Sequence, residues 1–191
     1  MMDDADIRSL GLDDLREAVR AAASAYQSDS FVIVGRASLA ATLPDCDPEL
    51  RATMDVDLFP PWDETNAAKW AAADVHVGRV SDFRRQHGFY IERVAEWTVK
   101  LLPESWEDRA ARFEVDGIRV LAIHPLDLIY TKLQAARQKD LLFVKSAIEL
   151  GLISITEIET FVAEKTTDHQ SAAALLQQLE AAKTFEEDDD Q

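Results

Sequence analysis

Cysteine is nearly absent: Cys46 is the one thiol in 191 residues. This excludes an internal disulfide and any cysteine-ligated metal cluster, and the simplest placement is a cytoplasmic protein in a reducing compartment. Glycine and proline are scarce, six of each, so the chain is neither low-complexity nor collagen-like, and its few glycines mark particular turns. Positive charge is in deficit, with 20 lysines and arginines against 36 acids and a formal net charge of −16. Such a chain stays soluble but opposes a general affinity for nucleic acid. A nucleotide, a small molecule or a basic protein partner suits its charge better. Part of the excess is local: Glu186, Glu187, Asp188, Asp189 and Asp190 form an acidic tail expected to be disordered. Without them the remainder is still strongly acidic. No apolar run approaches the ~20 residues of a membrane-spanning helix, so no membrane contact is expected. The opening Met-Met-Asp-Asp-Ala-Asp lacks the basic and apolar regions of a secretion signal.

What is present is ample apolar material, 47% of residues, enough for one core with a helical appendage. Ile7, Leu10, Leu12, Leu15, Val19, Ala22 and Tyr26 recur at helical spacing and predict a helix over 6–26. Phe31-Val32-Ile33-Val34 is a continuous apolar, largely β-branched run of the kind found in the middle of a covered sheet. A short helix is expected over 37–43, and a second strand over 53–59 ends at Pro60-Pro61. Residues 63–73 look helical, with Asp63 as N-cap. Strands are expected at 89–94 and 98–102. Asp116-Gly117, between 112–115 and 119–123, is a two-residue hairpin signal. From Pro125 onward the pattern is helical, with stripes over 126–136 and 141–150, a capping box at Ser154–Glu157 and a last helix over 170–183. The expected organisation is an α/β core over 1–123, a helical region over 124–184 packed on it, and a disordered acidic tail over 185–191.

Asp55 and Asp57 are the main chemical signal. Alternation along the strand puts them on one face and Met54, Val56 and Leu58 on the other. Two neighbouring carboxylates repel unless a cation lies between them, and Mg²⁺ takes one or two carboxylates together with water and substrate phosphates. The plain alternative is a solvated strand face. Upstream, Gly35-Arg36-Ala37-Ser38-Leu39 is a strand–glycine–helix turn whose backbone N–H groups, with the Ser38 hydroxyl, are candidate phosphate donors. An ordinary turn needing glycine only for its dihedrals is the alternative.

A glycine turn followed some twenty residues later by Asp-x-Asp resembles the nucleotidyltransferase superfamily. The likeness continues through Arg51–Pro60, Ser81-Asp82-Phe83, His87-Gly88-Phe89-Tyr90, Leu102–Trp106 with Arg109, His124-Pro125-Leu126-Asp127-Leu128 with Lys132-Leu133, and Arg137-Gln138-Lys139-Asp140 with Phe143-Val144. It covers about residues 30–155 and resembles an uncharacterised bacterial nucleotidyltransferase-like family, more distantly similar to the AbiEii and MenT toxins. The resemblance implies a nucleotidyltransferase-type mixed sheet with helices and a helical C-terminal part. It further implies Mg²⁺ or Mn²⁺ on Asp55 and Asp57, an NTP as substrate, and a third carboxylate on the next core strand. Glu92 is the choice for that acid, with Glu114 and Glu96 behind it. By the same resemblance Lys132 faces the triphosphate, with Arg137 and Lys139 as further nucleotide-binding cations; a surface Lys139–Asp140 pair is the alternative there. The family commonly has Gly-Gly or Gly-Ser in the first turn, where this chain has Gly35-Arg36. Arg36 is then either a phosphate contact or a sign of an altered turn.

The function implied is NMP transfer from an NTP to a hydroxyl on an acceptor that is a tRNA end, a protein side chain or a small molecule. Two alternatives stand beside it. One is the toxin of a toxin–antitoxin pair acting on tRNA, with a cognate protein partner. The other is a non-catalytic binding module of the same fold, motivated by Arg36. Arg84-Arg85 with Lys69 and Arg93 reads as a solvated face, the four histidines show no metal-ligand spacing, and Cys46 reads as inert.

Overall fold

In the computed structural model, residues 7–60 and 67–185 are described. Two compact units emerge: residues 1–100 with 107–124, and residues 101–106 with 125–191.

The first unit is built on a five-stranded mixed sheet, β2 (Ser30–Ile33), β4 (Asp55–Phe59), β5 (Tyr90–Arg93), β6 (Ala111–Val115) and β7 (Ile118–Ala122), in the order β5-β4-β2-β7-β6. The apolar run takes the centre of the sheet, as its composition predicts. β2 runs antiparallel to β4 and parallel to β7, and β4 is parallel to β5. β6 and β7 form the expected hairpin. Asp116 and Gly117 both have positive φ (52° and 85°), the signature of a type I′ turn. Helix α1 (Leu12–Tyr26) packs against the sheet through Leu15, Ala18, Val19, Ala22 and Tyr26. These join Phe31, Ile33, Val56, Leu58, Phe89, Ile91 and Val120 in one buried cluster.

Three sequence expectations need correction. The first helix does not run through residues 7–11. Gly11 is a poor helix residue and serves as N-cap, its N–H bonded to the Asp14 carboxylate at 2.8 Å. Before it, β1 (Arg8–Ser9) is held in a two-stranded ladder with β3 (Ala52–Thr53). Residues 98–102 are not a strand: α5 (Glu96–Lys100) covers most of them, and a Glu96–Lys100 pair at 3.0 Å supplies the i,i+4 support a helix uses. The helix expected at 63–73 runs over Ala67–Val77 as α3; Asp63 lies outside the described residues, as does the tail from residue 186.

The second unit holds four helices among the described residues: α7 (Pro125–Ala135), α8 (Gln138–Glu149), α9 (Ile155–Lys165) and α10 (His169–Lys183). Leu128, Leu133, Phe143, Val144, Phe161 and Leu179 are buried there. The capping box at the start of α9 is present, with Ser154 N–H donating to Glu157 at 2.8 Å and Glu157 N–H to the Ser154 hydroxyl at 3.3 Å. No described helix is long and apolar enough to cross a membrane.

Candidate metal and nucleotide site

Alternation along β4 sends Val56 and Leu58 fully into the core and leaves Asp55 and Asp57 half-buried on the opposite face. Parallel pairing then sets the neighbours. Asp55 lies in register with Tyr90, and Asp57 with Glu92. Paired positions on adjacent strands share a face at a spacing of about 4.8 Å, so Glu92 comes to the same face. Asp55, Asp57 and Glu92 each offer a carboxylate oxygen, and these three oxygens lie within 4.8 Å of one another. The Thr53 hydroxyl donates to Asp55 Oδ1 at 2.5 Å and fixes that carboxylate. Glu114 lies on the opposite edge strand, in register with Arg119, and Glu96 is in α5, so neither joins the group.

The donor set fits a hard divalent cation. Mg²⁺ holds oxygens at about 2.0–2.1 Å in an octahedron, so its ligand oxygens stand about 3–4 Å apart. Oxygens already within 4.8 Å need only small side-chain rotations to converge. Three carboxylates this close repel one another, and a cation among them would relieve that repulsion.

The glycine turn abuts this group. Val34 N–H donates to the Asp57 carbonyl at 2.9 Å, which brings the end of β2 alongside Asp57. Gly35 has φ 68° and ψ −170°, a combination open essentially to glycine alone. A Cβ placed on it would stand 2.2 Å from Asp57 Oδ2. Glycine is therefore required twice, for the dihedrals and for the space the carboxylate occupies. Positive φ falls on Gly35 and not on Arg36, so the arginine following the glycine carries no dihedral strain. Its Nη1 donates to the Ala52 carbonyl at 3.4 Å, reaching toward the strand that leads into Asp55. Ser38 is fully buried, and its hydroxyl donates to the Gly35 carbonyl at 2.8 Å. That hydroxyl staples the turn from inside, where sequence reasoning offered it as a phosphate donor.

Lys132, Arg137 and Lys139 belong to the second unit. Lys132 Nζ donates to Asp140 Oδ1 at 2.8 Å, and Arg137 Nε donates to Asp140 Oδ2 at 2.5 Å. Asp140 is fully buried. Burial alone would raise its carboxyl, but the hydrogen bonds from Arg137 and Lys132 outweigh it and hold the group below the usual carboxylate range. The pairing around Asp140 is therefore with Lys132 and Arg137 rather than the alternative Lys139–Asp140 pair, and Lys139 is exposed.

Sequence reasoning missed Tyr90 and Thr53, which border the acids. Tyr90 could have been found by the alternation that found Glu92, two residues on. Its phenol is pushed up, first by burial and then by the nearby Asp55 and Glu92. The basic-patch residues separate. Arg93 pairs with Asp74 at 3.0 Å, the Lys69 side chain is outside the described residues, and Arg84 stands over the Tyr90 ring. Burial raises the Cys46 thiol, in keeping with an unreactive residue.

A family model described as "Nucleotidyltransferase of unknown function (DUF6036)" matches residues 11–188. No curated protein and no solved structure matches the chain.

Proposed function

The chain belongs to that nucleotidyltransferase family, and from this premise we propose that it transfers NMP from an NTP to a hydroxyl, with Mg²⁺ or Mn²⁺ held by Asp55, Asp57 and Glu92. The observation that carries the reading is the convergence of the three carboxylates beside the Gly35 turn. Divalent cations bound there would neutralise the phosphates and the charge that develops on the attacking and leaving oxygens.

The chain's own residues supply position. Thr53 orients Asp55. Gly35 leaves room for Asp57 Oδ2, and Ser38 and Arg36 hold the turn against it. In the transfer, the acceptor oxygen bonds to the α-phosphorus, the bond to the bridging oxygen breaks, and pyrophosphate leaves with that electron pair. The hydroxyl proton passes to solvent. Arg36 is compatible with this reading, because the positive φ of the turn falls on Gly35 and not on the arginine. A toxin acting on tRNA would use the same chemistry; its test is growth arrest on expression, abolished by Asp57→Asn.

The decisive experiment is calorimetric titration of NTPs with and without Mg²⁺, on the wild type and on Asp55→Asn/Asp57→Asn. Cation-dependent binding that disappears in the double variant is the expected result. Absence of NTP binding to the wild type would refute the proposal.

A further inference from the structure

The sheet order gives the acids two unlike flanks. β2 and the Gly35 turn lie on one side of β4, and β5 lies on the other as an edge strand. Because β4 and β5 are parallel, the segment feeding β5 arrives at the end of the sheet where Asp55 stands. That segment, residues 78–89 with α4 (Asp82–His87), carries Arg79, Arg84, Arg85 and His87 against one acid, Asp82. In a chain of net charge −16 this is a local reversal of sign.

Arg84 stands against Tyr90, the residue in register with Asp55, and is tied to the backbone of Arg79. The Arg84 guanidinium lies 5.8 Å from the centre of the Tyr90 ring, and Arg84 Nη1 donates to the Arg79 carbonyl at 3.1 Å. Arg79 also acts electrostatically on the Tyr90 phenol, among Asp55, Glu92 and Asp57. Arg85 is turned to an exposed pair with Asp82. A guanidinium is a planar fork matched to phosphate oxygens. A protein this acidic repels a phosphate-bearing molecule at long range, so such a molecule needs cations placed at the site itself.

We infer that the acceptor of the transferred nucleotidyl group carries a phosphate, and that Arg79 and Arg84, on the β5 side of the acids, bind it. This rests on the transfer reading above and names the acceptor class within it. The shared chemistry is a phosphate ester, either a phosphodiester at a nucleic-acid end or the monoester of a small molecule.

The test uses the full chain with Mg²⁺ and an α,β-methylene NTP analogue. Two probes are titrated: a fluorescein-labelled single-stranded RNA octamer with a free 3′-hydroxyl, and glycerol phosphate. Proteins are the wild type, Arg79→Gln/Arg84→Gln and Arg79→Gln/Arg84→Lys, each checked by its melting temperature. The expected result is that one probe loses at least tenfold in affinity in the double Gln variant and is partly restored in Arg79→Gln/Arg84→Lys, while NTP affinity stays within about twofold. If the RNA is the affected probe, its salt slope falls by about one per arginine removed, and the acceptor is a nucleic-acid end. If only glycerol phosphate is affected, the acceptor is a small phosphate monoester. Weakened NTP binding in the variant would overturn the inference, because the arginines would then hold the nucleotide. Unchanged affinity for both probes, with NTP binding intact, would overturn it while leaving the transfer reading standing. A wild type that binds no NTP would sink both.

Discussion

Gly35→Ala is the perturbation whose consequence the structure specifies most closely. The backbone there has φ 68° and ψ −170°, a region where a residue with a Cβ costs about 1–3 kcal/mol. For a chain of this size each kcal/mol moves the melting temperature by roughly 2–4 °C, so the dihedrals alone predict a fall of roughly 2–12 °C. The new methyl also meets Asp57, with Oδ2 at 2.2 Å, Cγ at 3.1 Å and Cβ at 3.3 Å. The carboxylate must swing away, and cation affinity should drop with it. Two further variants separate these effects. Gly117→Ala, at φ 85° with nothing within 4 Å, carries only the dihedral cost of about 1–2 kcal/mol and leaves Mn²⁺ affinity unchanged. Asp57→Ala removes the oxygens and Cγ that the methyl strikes. The Gly35→Ala/Asp57→Ala double variant should therefore melt higher than the sum of the singles predicts, by a coupling of about 0.5–3 kcal/mol. Thermal denaturation with parallel Mn²⁺ titration reads both quantities. Additive melting, or normal Mn²⁺ binding by Gly35→Ala, would refute the claim that this glycine exists to seat Asp57.

Three other outcomes follow from the same geometry. Glu92→Gln should weaken Mn²⁺ binding about tenfold or more by titration, whereas Glu96→Gln, in α5, should not. Ser38→Ala removes one buried hydrogen bond, an expected loss of about 1 kcal/mol, and lowers NTP affinity less than tenfold; a larger affinity loss would mean that the hydroxyl touches phosphate after all. Asp140→Asn leaves Lys132, largely buried, without its carboxylate and should cost on the order of 3 kcal/mol near neutral pH. Because the Asp140 carboxyl is held below its ordinary value, its contribution is complete above the unfolded carboxylate pKa of about 3.9. It is lost as pH falls through the lower folded value. A melting-temperature profile against pH should show that acid limb in the wild type and a diminished one in the variant.

The parts legible in the sequence are those written in short-range periodicity. Phe31–Val34 has no polar residue to expose, and it forms and ends the central strand with Phe31, Ile33 and Val34 buried and Val32 half-buried. Asp55 and Asp57 alternate with Val56 and Leu58, and Glu92 alternates with Ile91. Each pattern fixes a face before any partner strand is known. Cross-strand register is not short-range. That Asp57 faces Glu92 and Asp55 faces Tyr90 depends on the parallel pairing of β4 and β5, which no local spacing encodes. Residues 98–102 show the limit of periodicity from the other side, since a short apolar run fits helix and strand equally and the Glu96–Lys100 pair tips it to helix. The Lys132–Asp140 bond was hidden for a different reason. It spans eight residues across a turn in which Ala136 takes a φ of 47°, so helical periodicity breaks between its ends.

Agreement between local preference and global fold is the usual condition of a well-specified chain, and violations concentrate where something other than stability is selected. Here the hairpin, the caps and the core stripes all agree with the fold, but one place does not. β4 carries two aspartates, a residue type depleted in strands. Their carboxylates stand close enough that the pair would cost about 1–3 kcal/mol at effective dielectric constants between those of water and a protein surface. Directly beside them Gly35 sits in a dihedral region closed to other residues, and its missing Cβ is what admits Asp57 so close. Three neighbouring departures that weaken the isolated fold share one beneficiary. Each brings the carboxylates closer together, and a divalent cation bound between them would offset the repulsion that this closeness creates.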